Sequence, residues 1–218
     1  MDDFAAQVSG VGALAEPARR GLYLYVVAQP EPVSRDQAAA GTGLPRHTAK
    51  FHLDRLVEEG LLATEFRRLS GRRGPGAGRP SKLYLRSSSA VAVTLPERHY
   101  DLAAQILAGA VETASHDGVP VLEAVQRAAA EAGHRLGVRP DPSGVAAVLA
   151  DQGYEPRQEG DALVLANCPF HDLARAHTEL VCGMNLALVT ALLEGARADH
   201  LTARLEPTEG RCCVTVRP

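Results

Sequence analysis

The 218-residue chain is 45% hydrophobic and 22% charged, enough apolar material for two modest domains with separate cores. Its first residues, MDDFAAQVSG, are acidic where a secretory leader would be basic, and no apolar run approaches the roughly 18 residues of a bilayer span. Export and membrane insertion are therefore not expected, and the cytoplasm is.

The net charge of −3 gives no support for nucleic-acid binding as a whole-chain number, but it is unevenly spread. Residues 1–100 carry 14 Lys and Arg against 10 Asp and Glu, and residues 101–218 carry 9 against 16. A basic half and an acidic half point to different partners.

In chain order, the first helix is predicted over residues 16–28, where Leu14, Ala18, Leu22, Tyr25 and Val26 recur at helical spacing before Gln29-Pro30-Glu31-Pro32 stops it. Ser34-Arg35-Asp36-Gln37 reads as a capping box opening a short alanine-rich helix that ends at Gly41-Thr42-Gly43. Pro45 suits the first position of a third helix, with Phe51, Leu53, Leu56, Val57 and Leu61 as its apolar face and Gly60 as its stop. Short helix, glycine turn and longer helix make a helix-turn-helix pattern, although an isolated pair of this kind is also a small bundle that binds nothing.

Residues 61–66 then read as a strand and 82–85 as its partner, joined by a glycine- and arginine-rich stretch. Between Thr64 and Arg86 stand Arg67, Arg68, Arg72, Arg73, Arg79, Lys82 and Arg86, against the single acid Glu65. A basic loop alone is often only a solvated face. Following a helix-turn-helix, it reads as a wing whose phosphate contacts supply affinity for DNA. On the third helix Arg46, His47, Thr48 and Lys50, with His52 and Arg55 further along, can donate to base edges or phosphates. His52 and Arg55 read equally well as plain helix-surface residues. Regulators of this kind commonly read two half-sites with two-fold symmetry, so a homodimer on a palindromic double-stranded operator is expected.

Beyond residue 95, helices are predicted over 96–115, with Leu102, Ile106, Ala110 and Val111 on one face, and over 120–136. The first is either a dimer contact or a core helix of one subunit. A short helix over 143–152, a strand pair over 154–158 and 162–166, helical segments over 172–177 and 180–198, and closing strands over 201–206 and 211–217 complete the chain. The expected class is α+β: a winged helix-turn-helix over 1–95, with three helices and a β-hairpin wing, and an α/β sensor and dimerisation domain over 96–218.

All four cysteines, Cys168, Cys182, Cys212 and Cys213, lie in the last quarter of the chain, where a reducing compartment favours metal or redox roles over disulfides. Thirteen residues separate Cys168 from Cys182 and 29 separate Cys182 from Cys212, which is no zinc-ribbon spacing, and each thiol alone reads equally as a packed core residue. Adjacent strand residues point to opposite faces, so one of Cys212 and Cys213 is expected as a ligand and the other as a packed thiol. His171 and His177 lie between the first two cysteines and keep a mixed Cys/His zinc site open. No P-loop, nucleophile elbow or dinucleotide-binding glycine fingerprint is present, so catalysis is not expected. With 4% aromatic residues, the stacking platforms of common RNA-binding modules are missing too.

The run LPRHTAKFHLDRLVEEGLL, followed by GAGRPSKLY, resembles the ArsR-like winged-helix transcriptional regulators. GRPSKLY followed by LPERHYDLAAQIL is especially similar to the branch containing the repressor of iron–sulfur cluster assembly genes (the SUF operon). That resemblance implies a repressor whose DNA affinity is controlled by an iron–sulfur cluster, with Cys168, Cys182 and a cysteine of the 212–213 pair in the ligand order. The first interval is about one residue longer than that pattern and the final cysteines are adjacent. A zinc site or a small-molecule effector pocket is the alternative sensor.

Overall fold

The computed structural model describes residues 2–68, 80–138 and 144–218, and the chain divides into two compact units, Met1–Val93 and Thr94–Pro218. The first unit comprises α1 (Asp2–Ala13), α2 (Pro17–Val27), β1 (Val33–Ser34), α3 (Arg35–Thr42), α4 (Arg46–Glu58), β2 (Leu62–Arg67) and β3 (Ser81–Arg86). Its three strands are antiparallel in the order β1-β3-β2, and Tyr84 of β3 sits opposite both Val33 and Thr64.

Local chemistry fixes the helix ends. The Glu16 carboxylate accepts from the backbone N–H groups of Ala18 and Arg19, and Ser34 and Gln37 form the reciprocal capping box of α3. Gly43 closes α3 in the left-handed conformation, φ 68°, which costs a residue without a β-carbon nothing. Leu22 and Val26 of α2, Ala38 of α3, Ala49, Leu53 and Leu56 of α4, and Tyr84 form the buried core.

Three features depart from the sequence reading. Helix α1 is unforeseen, because it lacks a capping signal and its Phe4, Val8 and Val11 remain exposed. Pro45 is the cap residue before α4 rather than its first turn. Phe51, read as apolar-face, is 64% exposed. The inward stripe is Ala49, Leu53 and Leu56, and Phe51 lies two positions from Leu53, about 200° around the helix.

The second unit comprises α5 (Tyr100–Asp117), α6 (Val121–Gly137), α7 (Val145–Asp151), β4 (Pro156–Glu159), β5 (Ala162–Leu165), α8 (His171–Ala176), α9 (Thr178–Gly195), β6 (Thr202–Leu205) and β7 (Val214–Arg217). Its antiparallel sheet runs β4-β5-β7-β6. The central strands β5 and β7 present mostly buried residues, and the outer strands β4 and β6 mostly exposed ones. Val125, Leu149, Phe170, Met184, Leu188, Leu192 and Val216 anchor the core.

Helices α6 and α9 meet backbone to backbone. A β-carbon at Gly133 would lie 2.0 Å from the Leu188 carbonyl oxygen, and one at Gly137 would lie 2.1 Å from that of Leu192. Only glycine admits this approach. Helix α9 is also long and apolar enough to cross a bilayer, with mean hydropathy 1.3 over 18 residues, contrary to the reading of the sequence by uninterrupted apolar runs. Half of it is buried within the fold, and its apolarity is that of a central core helix.

Helix α5 begins at Tyr100 rather than residue 96, and its inward stripe is Ala103, Ile106 and Ala110, leaving Val111 exposed. Cys212 and Cys213 precede β7 instead of lying within it, so strand alternation does not separate them.

Candidate functional site

Helices α3 and α4, joined by the tight turn at Gly43, hold the side chains expected to face DNA. Arg46 opens α4 and is exposed, with its Nη2 donating to Asp36 of α3 at 2.6 Å. His47 is exposed and Thr48 half-buried. Lys50 reaches Asp54 at 3.1 Å, and Arg55 pairs with Glu58 at 3.4 Å and with Glu59. His52 turns inward, next to Glu16 at 3.6 Å and Arg19 at 3.5 Å, so α2 covers it and it is not displayed with its neighbours.

Asp54 ties α4 to the sheet. It accepts from Lys82 at 2.7 Å and from the Tyr84 hydroxyl at 2.9 Å, in addition to its pair with Lys50. Burial pushes its carboxyl up, but these donors outweigh that effect and hold it below the usual range. Burial first, then Asp54, raises the Tyr84 hydroxyl. On β2, Arg67 pairs with Glu65 at 2.6 Å and Glu31 at 3.4 Å; Arg68, just past β2, and Arg86 of β3 are exposed. Arg72, Arg73 and Arg79 lie outside the described residues.

Most of the described cations thus have an acidic neighbour, a pattern missed when basic residues are counted along the sequence. Such exposed pairs are worth about 0–1 kcal/mol each. They set the direction of Arg46, Lys50 and Lys82 without holding them against a competing phosphate.

In the second unit, four thiols come together from three separate stretches. Cys168 follows β5 and is 8% exposed, Cys182 lies in α9 and is half-buried, and Cys212, 1% exposed, and half-buried Cys213 immediately precede β7. The Cys212 N–H donates to the Leu165 carbonyl at 2.9 Å and the Glu206 N–H to that of Cys213 at 2.8 Å, which pins the pair beside the sheet.

The thiols act on one another. Contact with Cys212, and then burial, drives the Cys168 thiol far above its ordinary range. Contact with Cys168 lowers the Cys212 thiol, but contact with Cys213 and burial prevail and push it up to about 11. Burial raises Cys182 despite an opposing contact with Cys213. Thiols so shifted are protonated at neutral pH and poor nucleophiles, and a metal centre would have to displace their protons to bind.

Two buried polar side chains support the cluster. Asn185, 1% exposed, donates from Nδ2 to the Cys212 sulfur at 3.2 Å, and its Oδ1 accepts from the Tyr154 hydroxyl at 2.6 Å. Sequence reading named neither. His171 and His177 are exposed at the start and end of α8. Among the described residues no group of three or more His, Cys, Asp or Glu side chains is arranged to hold a metal ion. What the fold does bring together is four thiols, with an amide N–H directed at one of them. A separate open cleft is lined by His134, Val148, Glu194, Arg197 and His200.

Residues 14–65 match the family described as a helix-turn-helix domain, which covers α2 to α4 and most of β2. The match supports a DNA-binding regulator acting on double-stranded DNA. No curated protein matches the chain. Among solved structures, human N-acetylserotonin methyltransferase in complex with SAM aligns at 17% identity over 69% of this chain and 53% of that one. Its TM-score of 0.27 carries no inference about fold or activity.

Proposed function

We propose that the protein is a transcriptional repressor of the winged-helix type whose operator affinity is set by an iron–sulfur centre held by Cys168, Cys182, Cys212 and Cys213. The observation that carries this reading is the convergence of four thiols, one of them receiving the Asn185 amide, in a chain that also bears a helix-turn-helix domain.

In this reading α4 enters the major groove. Arg46, His47, Thr48 and Lys50 contact base edges and phosphates, while β2, β3 and the basic stretch between them form the wing. Two copies related by a two-fold axis bind half-sites about 34 Å apart on a palindromic operator. Asn185 holds the Cys212 sulfur in place, and burial of Cys168 and Cys212 excludes water. When bound, the centre supplies sensitivity to oxidants and to iron supply. A zinc site is the weaker reading, because both histidines between Cys168 and Cys182 are exposed, at the start and just past the end of α8.

Iron, acid-labile sulfide and zinc contents of anaerobically purified protein, with a visible absorption spectrum, test the proposal. Iron and sulfide in equal amounts, lost together with operator binding in Cys168→Ser and Cys182→Ser, are the expected result. Zinc alone, or no metal in a protein that still binds DNA, overturns the iron–sulfur assignment.

A further inference from the structure

The first residues of the second unit are fastened to the cysteine-bearing loop through a set of contacts that neither DNA binding nor thiol chemistry requires. The Arg98 guanidinium donates to the Asn167 side-chain oxygen and, at 3.3 Å, to the backbone carbonyl of Cys168. Asn167, 6% exposed, donates in turn to the Glu97 carbonyl at 2.9 Å and to the Gly153 carbonyl at 2.5 Å. The His99 N–H donates to the Pro169 carbonyl at 3.1 Å, and the Tyr100 hydroxyl to Asp172 at 2.7 Å. Residues 97–100 therefore lie bonded along residues 167–172, each through at least one contact.

We propose that residues 97–100 are a latch that reports the state of Cys168 to the chain entering from the DNA-binding unit. The proposal rests on reading the thiol cluster as the sensing centre, and does not depend on which metal fills it. The surroundings of Cys168 are bonded to the latch: its carbonyl, which also accepts from the His171 N–H at 3.1 Å, the side chain before it and the carbonyl after it all meet residues 97–100. A shift of Cys168 on gaining or losing a metal must either carry residues 97–100 with it or leave buried Asn167 without its partners, which is the more costly course. Residue 97 follows the end of the first unit at Val93 by only four positions, so the displacement reaches the connecting chain directly. Arg98 is the positioning residue, since among the described residues it alone bonds both Asn167 and Cys168.

The test measures amide hydrogen exchange of the peptide spanning 94–101 in the full-length chain, with and without Cd²⁺. This thiophilic probe binds the cysteines whether the natural centre is iron–sulfur or zinc, and its uptake is read from thiolate-to-metal absorption. In the wild type, Cd²⁺ is expected to slow exchange across 97–100 at least about five-fold, the lower end of ordinary site-to-site coupling. Arg98→Ala should take up the same amount of Cd²⁺ and lose that response, and Tyr100→Phe, a gentler change, should weaken it. Affinity for duplex DNA, compared with and without Cd²⁺, should cease to differ in Arg98→Ala.

Wild-type protein that takes up no Cd²⁺, exchange at 97–100 that ignores it, or a full response in both variants overturns the latch. A response to Cd²⁺ in protein that purifies without iron and sulfide supports the latch and overturns only the iron–sulfur assignment.

Discussion

The Nδ2 of Asn185 lies 3.2 Å from the sulfur of Cys212, and the same amide accepts the Tyr154 hydroxyl at 2.6 Å, so one side chain orients a thiol and satisfies a buried phenol. Tyr154 is fully buried, and burial raises its hydroxyl well above the ordinary range. Replacing Asn185 by Ala leaves that hydroxyl without its acceptor. The expected cost is about 1–3 kcal/mol in urea unfolding of the metal-free protein. Tyr154→Phe, which removes donor and need together, should cost less.

Gly133→Ala tests the helix contact. The added methyl would sit 2.0 Å from backbone that cannot rotate away, so a loss of about 1–3 kcal/mol or more is expected in the denaturation midpoint. Gly12→Ala in α1 is the control: nothing lies within 4 Å of the added carbon, and helix propensity predicts a gain of about 0.5–1 kcal/mol.

Binding to duplex DNA across a salt series separates displayed cations from covered ones. Lys50→Ala should weaken binding and reduce the log–log salt slope by about 1 if Lys50 meets a phosphate. His52→Gln, half-buried against Glu16 and Arg19, should leave both affinity and slope unchanged.

Acid should loosen the first unit through Asp54. Its carboxyl is held below the ordinary value of 3.8, with the hydrogen bonds from Lys82, Lys50 and Tyr84 overcoming the upward push of burial. A lowered folded value means the stabilisation is fully present above the unfolded value and is lost as pH falls through the folded one. Unfolding monitored below about pH 4 should show this loss, and Asp54→Asn should reduce the pH dependence there.

Features set by neighbours in sequence were legible: the capping box at Ser34 and Gln37, the glycine end of α3, and the pairing of strands read at 61–66 and 82–85, which span 62–67 and 81–86. Features set by distant partners were not. Phe51 looked like core because apolar residues crowd α4, but three of them already fill the inward stripe. His52 looked displayed because its α2 partners lie 33 and 36 positions away. The meeting of Cys213 with both Cys182 and Cys212 was masked by reading residues 211–217 as one continuous strand, whereas β7 starts at Val214. Asn185 and Arg98 carried no signal at all, since a polar residue in an apolar helix and an arginine before a histidine gain meaning only from what they touch.

The notches at Gly133 and Gly137 also divide the thiol cluster mechanically. With the carbonyls of Leu188 and Leu192 seated in them, α9 is keyed to α6 and cannot slide by a fraction of a turn without colliding with it. Cys182, on α9, is the anvil of the cluster; strain arising there falls on the Cys168 loop and on the turn at Cys212 and Cys213, which are held by hydrogen bonds rather than by a steric interlock.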